Sequence, residues 1–119
     1  MTFIALIAIV SKNDEEKAID VAKKAGAGGV TILEGRSIGL KEKKIFFGLT
    51  LEENVSALLF ILPKRLSMAV LKALKNEIDF SSKNEFNMAF TLPISHVIGL
   101  DIEEIHKFEK EIEQTIQRI

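Results

Sequence analysis

The sequence predicts an α+β domain in which an antiparallel β-sheet carries two helices on one of its faces. Three observations predict this class. Apolar runs of strand length recur along the chain, two segments between them have the period of amphipathic helices, and those helices separate the strands in the order strand, helix, strand, strand, helix, strand. The expected arrangement is therefore the βαββαβ order, which is ferredoxin-like.

The first strand and the first helix have the clearest patterns. Residues 3–10 form a continuous apolar run, as expected for a central strand. The following segment, SKNDEEKAIDVAKKAG, has a helical period. Asn13 is the expected N-cap with Glu16 in capping-box position, and Gly26 supplies a left-handed stop.

Three segments in the middle of the chain have strand-like sequences. Residues 29–34 have a strand pattern, and residues 35–44 are polar and are expected to form a loop. Residues 44–51 are strand-like but contain Gly48, which indicates an edge or a bulge. Residues 54–62 are predicted to be another buried strand.

The second helix is expected to start at Pro63, because the first helical position needs no amide donor. Asn76 is expected to provide its left-handed stop. A last strand is predicted over residues 89–100, with Pro93 at its middle, which favours an edge position or a bulge.

The first strand is apolar on both faces, because both alternating sets of its side chains are apolar. Two helices can cover only one face of the sheet. Association with other copies of the chain is the simplest source of a second cover, so the pattern predicts an oligomer.

The C-terminal segment, residues 101–119, has apolar residues at intervals of three to four and is predicted to be an amphipathic helix. The expected organisation is a ferredoxin-like domain over residues 1–100 followed by this helix. The helix could cover the sheet of its own chain or that of a neighbour.

Composition excludes several functions. The chain of 119 residues has a net charge of −1 and no Cys, which disfavours nucleic-acid binding and removes disulfides, thiolate metal sites and Cys nucleophiles. The first apolar run is too short to span a membrane. We expect a non-enzymatic cytoplasmic protein with no catalytic residues. A metal site within one chain is not expected, because His96 and His106 lie ten residues apart.

Two stretches of the sequence carry a family resemblance. The segment AGAGGVTILEGRSIG, residues 25–39, and the segment FTLPISHVIGL, residues 90–100, resemble the PII-like family of signalling proteins, which includes the nitrogen-regulatory PII group. The resemblance covers about residues 3–100. It implies the ferredoxin-like fold, a homotrimer whose sheets face inward, and clefts between subunits that bind a small effector.

The resemblance also implies where a ligand would bind. The ligand-binding candidates lie in the second strand and at the start of the following loop, and they are Thr31, Glu34, Gly35, Arg36, Ser37 and Gly39. Backbone amides of a Gly-rich turn and the guanidinium of Arg36 suit an anionic ligand. Glu34 could instead face solvent or Lys44.

The chain departs from the family where the family holds phosphates. Its Gly-Asp-Gly-Lys turn corresponds here to residues 85–88, Glu-Phe-Asn-Met, and its two late arginines correspond to Gly99 and Asp101. Each lost charged hydrogen bond costs about 1.5–3 kcal/mol. We therefore expect no tight ATP binding in the usual PII mode, although a nucleotide-type effector stays open and no cofactor is certain.

The function predicted from the sequence is that of a divergent PII-like trimer. It would sense a small anionic effector and report it to a protein target through the loop at residues 37–53. One alternative is a structural or interaction trimer with a degenerate ligand cleft. Another is a CutA-like metal-tolerance protein.

Overall fold

A computed structural model describes residues 2–38, 45–46, 49–50, 52–81 and 86–100 of the chain. The predicted C-terminal helix, residues 101–119, and Gly39 lie outside the described residues. The elements follow one another as β1 (Phe3–Ser11), α1 (Glu15–Lys24), β2 (Thr31–Ile38), β3 (Ile45–Phe46), β4 (Leu49–Thr50), β5 (Glu52–Pro63), α2 (Lys64–Glu77) and β6 (Met88–Pro93).

Four strands form one antiparallel sheet in the order β2-β5-β1-β6. The two helices pack together on one face of this sheet, so the predicted ferredoxin-like α+β fold is confirmed. The two longest strands, β1 and β5, lie at its centre, as expected for the strands with the most apolar sequences.

The core lies between the sheet and the helices. Alternate residues of β1 and β5 point into it, because successive side chains of a strand point to opposite faces. The fully buried side chains contributed by the four elements are Leu6, Ala8 and Val10 of β1, Leu58 and Phe60 of β5, Ala18 and Ala22 of α1, and Val70 and Leu74 of α2.

Gly26 terminates helix α1, as the sequence predicts. Gly26 has a φ of 121°, its amide donates to the Lys23 carbonyl at 3.1 Å, and the Ala27 amide donates to the Ala22 carbonyl at 3.0 Å. These two bonds make a Schellman motif. The start of α1 differs from the prediction, because Asp14 and not Asn13 is the N-cap and residues 12–14 form a 3-10 turn.

The boundaries of the second helix and the last strand also differ from the prediction. Asn76 is not a stop, because α2 continues to Glu77 and ends in the extended residue Ile78. Strand β6 ends at Pro93 and does not continue to residue 100. Pro93 does lie on an edge strand, where its missing amide donor breaks no ladder.

The largest difference between the predicted and the observed strands lies between the second strand and the second helix. The described part of the predicted strand at residues 44–51 does not join the main sheet, since Ile45–Phe46 and Leu49–Thr50 pair with each other as a separate two-stranded sheet. Strand β2 runs to Ile38, whereas the polar composition of residues 35–44 predicts a loop there. Strand β5 starts at Glu52, two residues before the prediction.

The face of the sheet opposite the helices is apolar and largely uncovered by the described residues. We call it the open face. Its large exposed side chains come from three strands and are Leu33 of β2, Ile61 of β5, and Met88, Phe90 and Leu92 of β6. Ile7 and Ile9 of β1 lie half-buried between them. In the described part of the chain, no helix has both the length and the apolar character needed to cross a membrane.

Candidate functional site

Strands β2 and β5 flank the loop at residues 37–53 and pair with each other at its base. Ser37 lies opposite Glu53, and Ile38 lies opposite Glu52. The loop is therefore closed by an antiparallel ladder that holds its two ends side by side. Strand β2 is also an edge of the four-stranded sheet, so its outer backbone edge is not used within that sheet.

The ligand-binding candidates of the sequence all lie on β2 except Gly39, but they do not share one face. Glu34 and Arg36 lie opposite Ser56 and Asn54 of β5, on the helix-bearing face. Thr31, Gly35 and Ser37 alternate with them and lie on the open face. One ligand could reach both groups only around the outer edge of β2.

Gly35 lies in the interior of β2, at a position where the described residues leave room for a side chain. A Cβ atom built at this position would have no atom within 4 Å, and its φ is not in the left-handed region. The described residues leave the open face empty at this position, so Gly35 gives any partner or ligand close access to the strand backbone.

Four side chains meet on the helix-bearing face beside Glu34. Lys12 Nζ lies 2.5 Å from Glu34 Oε1 and 3.1 Å from Glu15 Oε1, and Ser56 Oγ donates to Glu15 Oε1 at 2.5 Å. We call this group the Lys12 ring. It links the start of α1 to two neighbouring strands, because Glu34 and Ser56 lie opposite each other in the ladder.

The ring perturbs the protonation of two of its members. The hydrogen bond from Ser56, with a smaller contribution from Lys12, lowers the pKa of Glu15 below 4.5. The hydrogen bonds to Glu34 and then to Glu15 raise the pKa of Lys12 above 10.5. Both groups are therefore charged at neutral pH. The Glu34 side chain is 75% exposed, so it faces solvent as one of the two expectations had it, and it also contacts Lys12, which the sequence did not indicate. Lys44 lies outside the described residues.

Arg36 is the second cation on this face. It is exposed and follows Glu34 by two residues, which places the two Cα atoms roughly 7 Å apart along the strand. The Lys12 ammonium contacts Glu34, and Arg36 lies on the same face of β2 two residues nearer the loop. This arrangement suits an anion of the size of a phosphate or carboxylate group.

A buried network beside the Lys12 ring, at the same end of β1, was not predicted from the sequence. Asn87 Oδ1 accepts from the Ser11 amide at 2.8 Å, and Asn87 Nδ2 donates to Asp14 Oδ2 at 3.2 Å and to the Asp79 carbonyl at 3.0 Å. Asn87 lies in residues 85–88, which the sequence resemblance matches to the Gly-Asp-Gly-Lys turn of the PII-like family. Its partners are up to 76 residues away, and no local pattern signals such contacts.

The glycines after α1 border a different space. Gly28 and Gly29 line a cleft of about 190 Å³ with Ile19, Val30 and Phe60, and Lys23 is the single charged side chain of its lining. This lining is mostly apolar and does not resemble a phosphate cradle. Within the described ranges, no three His, Asp or Glu side chains lie close enough to hold a metal ion.

Solved structures with the same architecture include GlnK and PII-like proteins. The ATP complex of Bacillus subtilis GlnK matches with a TM-score of 0.66 at 18% identity, over 82% of this chain and 85% of that one. CPII, a nitrogen-regulatory PII-like protein from Thiomonas intermedia bound to ADP, AMP and bicarbonate, matches with a TM-score of 0.62 at 17% identity, over 84% and 98%. A putative PII-like signalling protein from Thermus thermophilus matches with a TM-score of 0.57 at 17% identity, over 79% and 87%.

The chain has the fold of the PII proteins. The resemblance in residues 25–39 and 90–100 is thereby confirmed at the level of the fold, at the low identity expected of a divergent chain. No protein-family model and no curated protein matches the sequence. In this fold, the loop at residues 37–53 connects β2 to β5, which pair with each other in the sheet.

Proposed function

We propose that this chain is a PII-like regulatory protein: a homotrimer that binds a small anionic effector between subunits and reports it through the loop at residues 37–53. The observation that carries the proposal is the placement of Arg36 and Lys12 on one face of β2, directly beside the base of that loop. We propose a binding role and no catalytic role for these residues.

The open face supports the trimer. A continuous apolar face on a soluble protein marks an interaction surface. Around a symmetry axis each residue meets its own copies, so a charged residue there would meet a like charge. On the open face of the described strands the charged residue is Glu53, at the end next to the loop. The rest of the face can pack against copies of itself without repulsion.

The effector that we propose is smaller or less charged than ATP. In the region where the PII-like family holds phosphates, Asn87 is engaged in the buried network, Met88 is apolar and exposed, and Gly99 has a φ of 91°. Asp101 lies outside the described residues. GlnK of B. subtilis has been solved with ATP, and CPII of T. intermedia with ADP, AMP and bicarbonate. ADP, AMP and bicarbonate are therefore better candidate effectors for this chain than ATP.

Reporting through the loop follows from the ladder at its base. A ligand at Arg36 would contact the last residues of β2 before the loop, and Ser37 and Glu53 pair directly after them. A ligand that binds one arrangement of the loop more tightly than another shifts the population toward that arrangement. A protein target would then meet a different loop surface.

An interaction trimer with a degenerate cleft is the second candidate. The observation that favours it is the division of the ligand-binding candidates between the two faces of β2. In that case the open face and the loop would provide contacts to partners, and no small molecule would stabilise the protein.

Thermal unfolding separates the two candidates. The probes are ADP, AMP, ATP, bicarbonate, 2-oxoglutarate and divalent metal ions. A probe present at about one hundred times its Kd adds about 2.7 kcal/mol to the unfolding free energy and raises the Tm. We expect a rise with ADP, AMP or bicarbonate that is lost in Arg36→Ala and kept in Arg65→Ala, a matched change on the exposed side of α2. No rise with any probe would favour the interaction trimer.

A further inference from the structure

The Lys12 ring occupies a position from which it can sense the candidate ligand site. Glu34 and Ser56 are opposite residues of the two strands that flank the loop at residues 37–53. Lys12 and Glu15 belong to the segment where β1 passes into α1. The ring therefore ties β2 to the start of α1 through the Lys12 ammonium and ties β5 to it through the Glu15 carboxylate.

The two halves of the ring differ in exposure. The Glu15 side chain is 18% exposed, and it accepts hydrogen bonds from both Ser56 and Lys12. The Glu34 side chain is 75% exposed, on an edge strand. Exposed ion pairs contribute little to stability, because water screens the attraction and both side chains lose freedom. The contact between Lys12 and Glu34 is therefore the half of the ring that opens first.

We propose that Lys12 is a binding residue of the effector site and that Glu34 is its built-in competitor. An anionic group that binds at Arg36 takes the place of the Glu34 carboxylate on the Lys12 ammonium, while Lys12 stays bonded to Glu15. The inference rests on the proposed function and extends it by naming the second cation of the site. The ligand group is a phosphate, of a nucleotide or free, or a carbonate of similar size.

This exchange supplies positive charge that residues 88 and 99 do not supply. Met88 and Gly99 stand where the PII-like family has basic residues, and neither can attract an anion by charge. Lys12 lies on the face of β2 that carries Arg36, so the two cations can hold one anionic group from two sides. When Glu34 leaves Lys12, strand β2 loses its ion pair to the helix layer, and the base of the loop is released on that side.

The test measures affinity by titration calorimetry with ADP, inorganic phosphate and bicarbonate as separate probes. We expect Lys12→Gln to weaken binding by about tenfold, since one charged hydrogen bond to the anion is lost. We expect Glu34→Gln to strengthen binding by about threefold, since the competing carboxylate is removed. Lys24→Gln is the matched control, because Lys24 pairs with Asp20 at 3.1 Å on the exposed side of α1. It should bind as the unchanged protein does.

The probes and the variants separate the outcomes. A response to ADP and phosphate but not to bicarbonate assigns the site to phosphate, and the reverse assigns it to carbonate. If Lys12→Gln binds normally while Arg36→Ala does not, the ring is only a structural tether and this inference is wrong, although the proposed function stands. If Glu34→Gln weakens binding, Glu34 contacts the ligand and the competitor role is wrong. If no probe binds the unchanged protein, the proposed effector site and this inference both fail.

Discussion

Gly26 adopts a conformation that residues with a side chain rarely reach. Its φ of 121° allows the Schellman motif that closes α1 and brings Ala27 into the core. We predict that Gly26→Ala destabilises the protein by about 1–3 kcal/mol, because the methyl group makes this backbone conformation strained. Urea unfolding followed by circular dichroism measures the change.

Gly29 provides the control for Gly26. It lies three residues further on, has no left-handed φ, and has no atom within 4 Å of the position that a methyl group would take. Gly29→Ala should leave the unfolding free energy unchanged or raise it by about 0.4–1 kcal/mol, through the lower entropy of the unfolded chain. Equal losses in both variants would mean that φ is not the cause.

Asn87 is buried and joins the segment at residues 11–14 to Asp79. Its side chain bonds the Ser11 amide, the Asp14 carboxylate and the Asp79 carbonyl. We predict that Asn87→Ala lowers the unfolding free energy by about 2–3 kcal/mol, because a buried amide donor is left without an acceptor. Chemical denaturation measures it. Asn76→Ala, on the exposed side of α2, should have no such cost, and a similar loss there would argue against the network.

At the scale of elements, the start of α1 is attached to β5 through an ionised carboxylate. Because the folded pKa of Glu15 is lowered, its contribution to stability is fully present above 4.5 and is lost as the pH falls through the folded value. The contribution of Lys12, whose pKa is raised, is present below 10.5 and is lost as the pH rises through its folded value. The contacts between α1 and the two strands should therefore weaken at both extremes of pH.

We predict that Ser56→Ala moves the pKa of Glu15 back toward 4.5, because the hydrogen bond from Ser56 is the largest cause of the shift. The dependence of stability on pH below 4.5 should become shallower in this variant. NMR titration of the Glu15 carboxyl and denaturation midpoints at several pH values measure the two effects. Ser81→Ala, at an exposed position, should change neither, and an unchanged Glu15 titration in Ser56→Ala would contradict the assignment.

The sequence is most informative where local chemistry decides an element. The apolar run of β1, the end of α1 at Gly26 and the edge position of Pro93 are all predicted correctly. The extension of β2 through Gly35 and Arg36 is not, because their local preference is for a loop. Pairing with residues 52–55 of β5 overrides that preference, since each ladder bond satisfies a backbone group.

The candidate site is predicted in part for a similar reason. The sequence places Glu34 and Arg36 at the base of the loop, but it cannot place Lys12 beside them, because Lys12 is 22 residues from Glu34. The helical and strand periods fix which face a side chain is on. They do not fix which residues of another element lie opposite, and this information comes from packing.

For the whole molecule, the open face is the surface on which the proposed trimer depends. Leu33 on this face is 59% exposed, and Met68 on the outer side of α2 is 55% exposed. In an isolated chain, a charge at either position costs little. In a trimer whose sheets face inward, Glu at position 33 would be buried against neighbouring copies.

We therefore predict that Leu33→Glu converts the trimer to monomers, whereas Met68→Glu leaves it intact. Sedimentation equilibrium or light scattering at several protein concentrations measures the mass. A monomeric unchanged protein would contradict the trimer. An unaltered trimer in Leu33→Glu would mean that this part of the open face lies outside the interface.

The ladder between β2 and β5 has a consequence for how such a protein can diverge. With Ile38 opposite Glu52, the loop is an insertion into a closed hairpin, and its length is independent of the register of the sheet. Each doubling of a flexible loop costs only about 0.6 kcal/mol of closure entropy. Mutation can therefore lengthen, shorten or rewrite this segment, and with it the choice of the target that we propose, while the sheet and the residues beside the loop stay as they are.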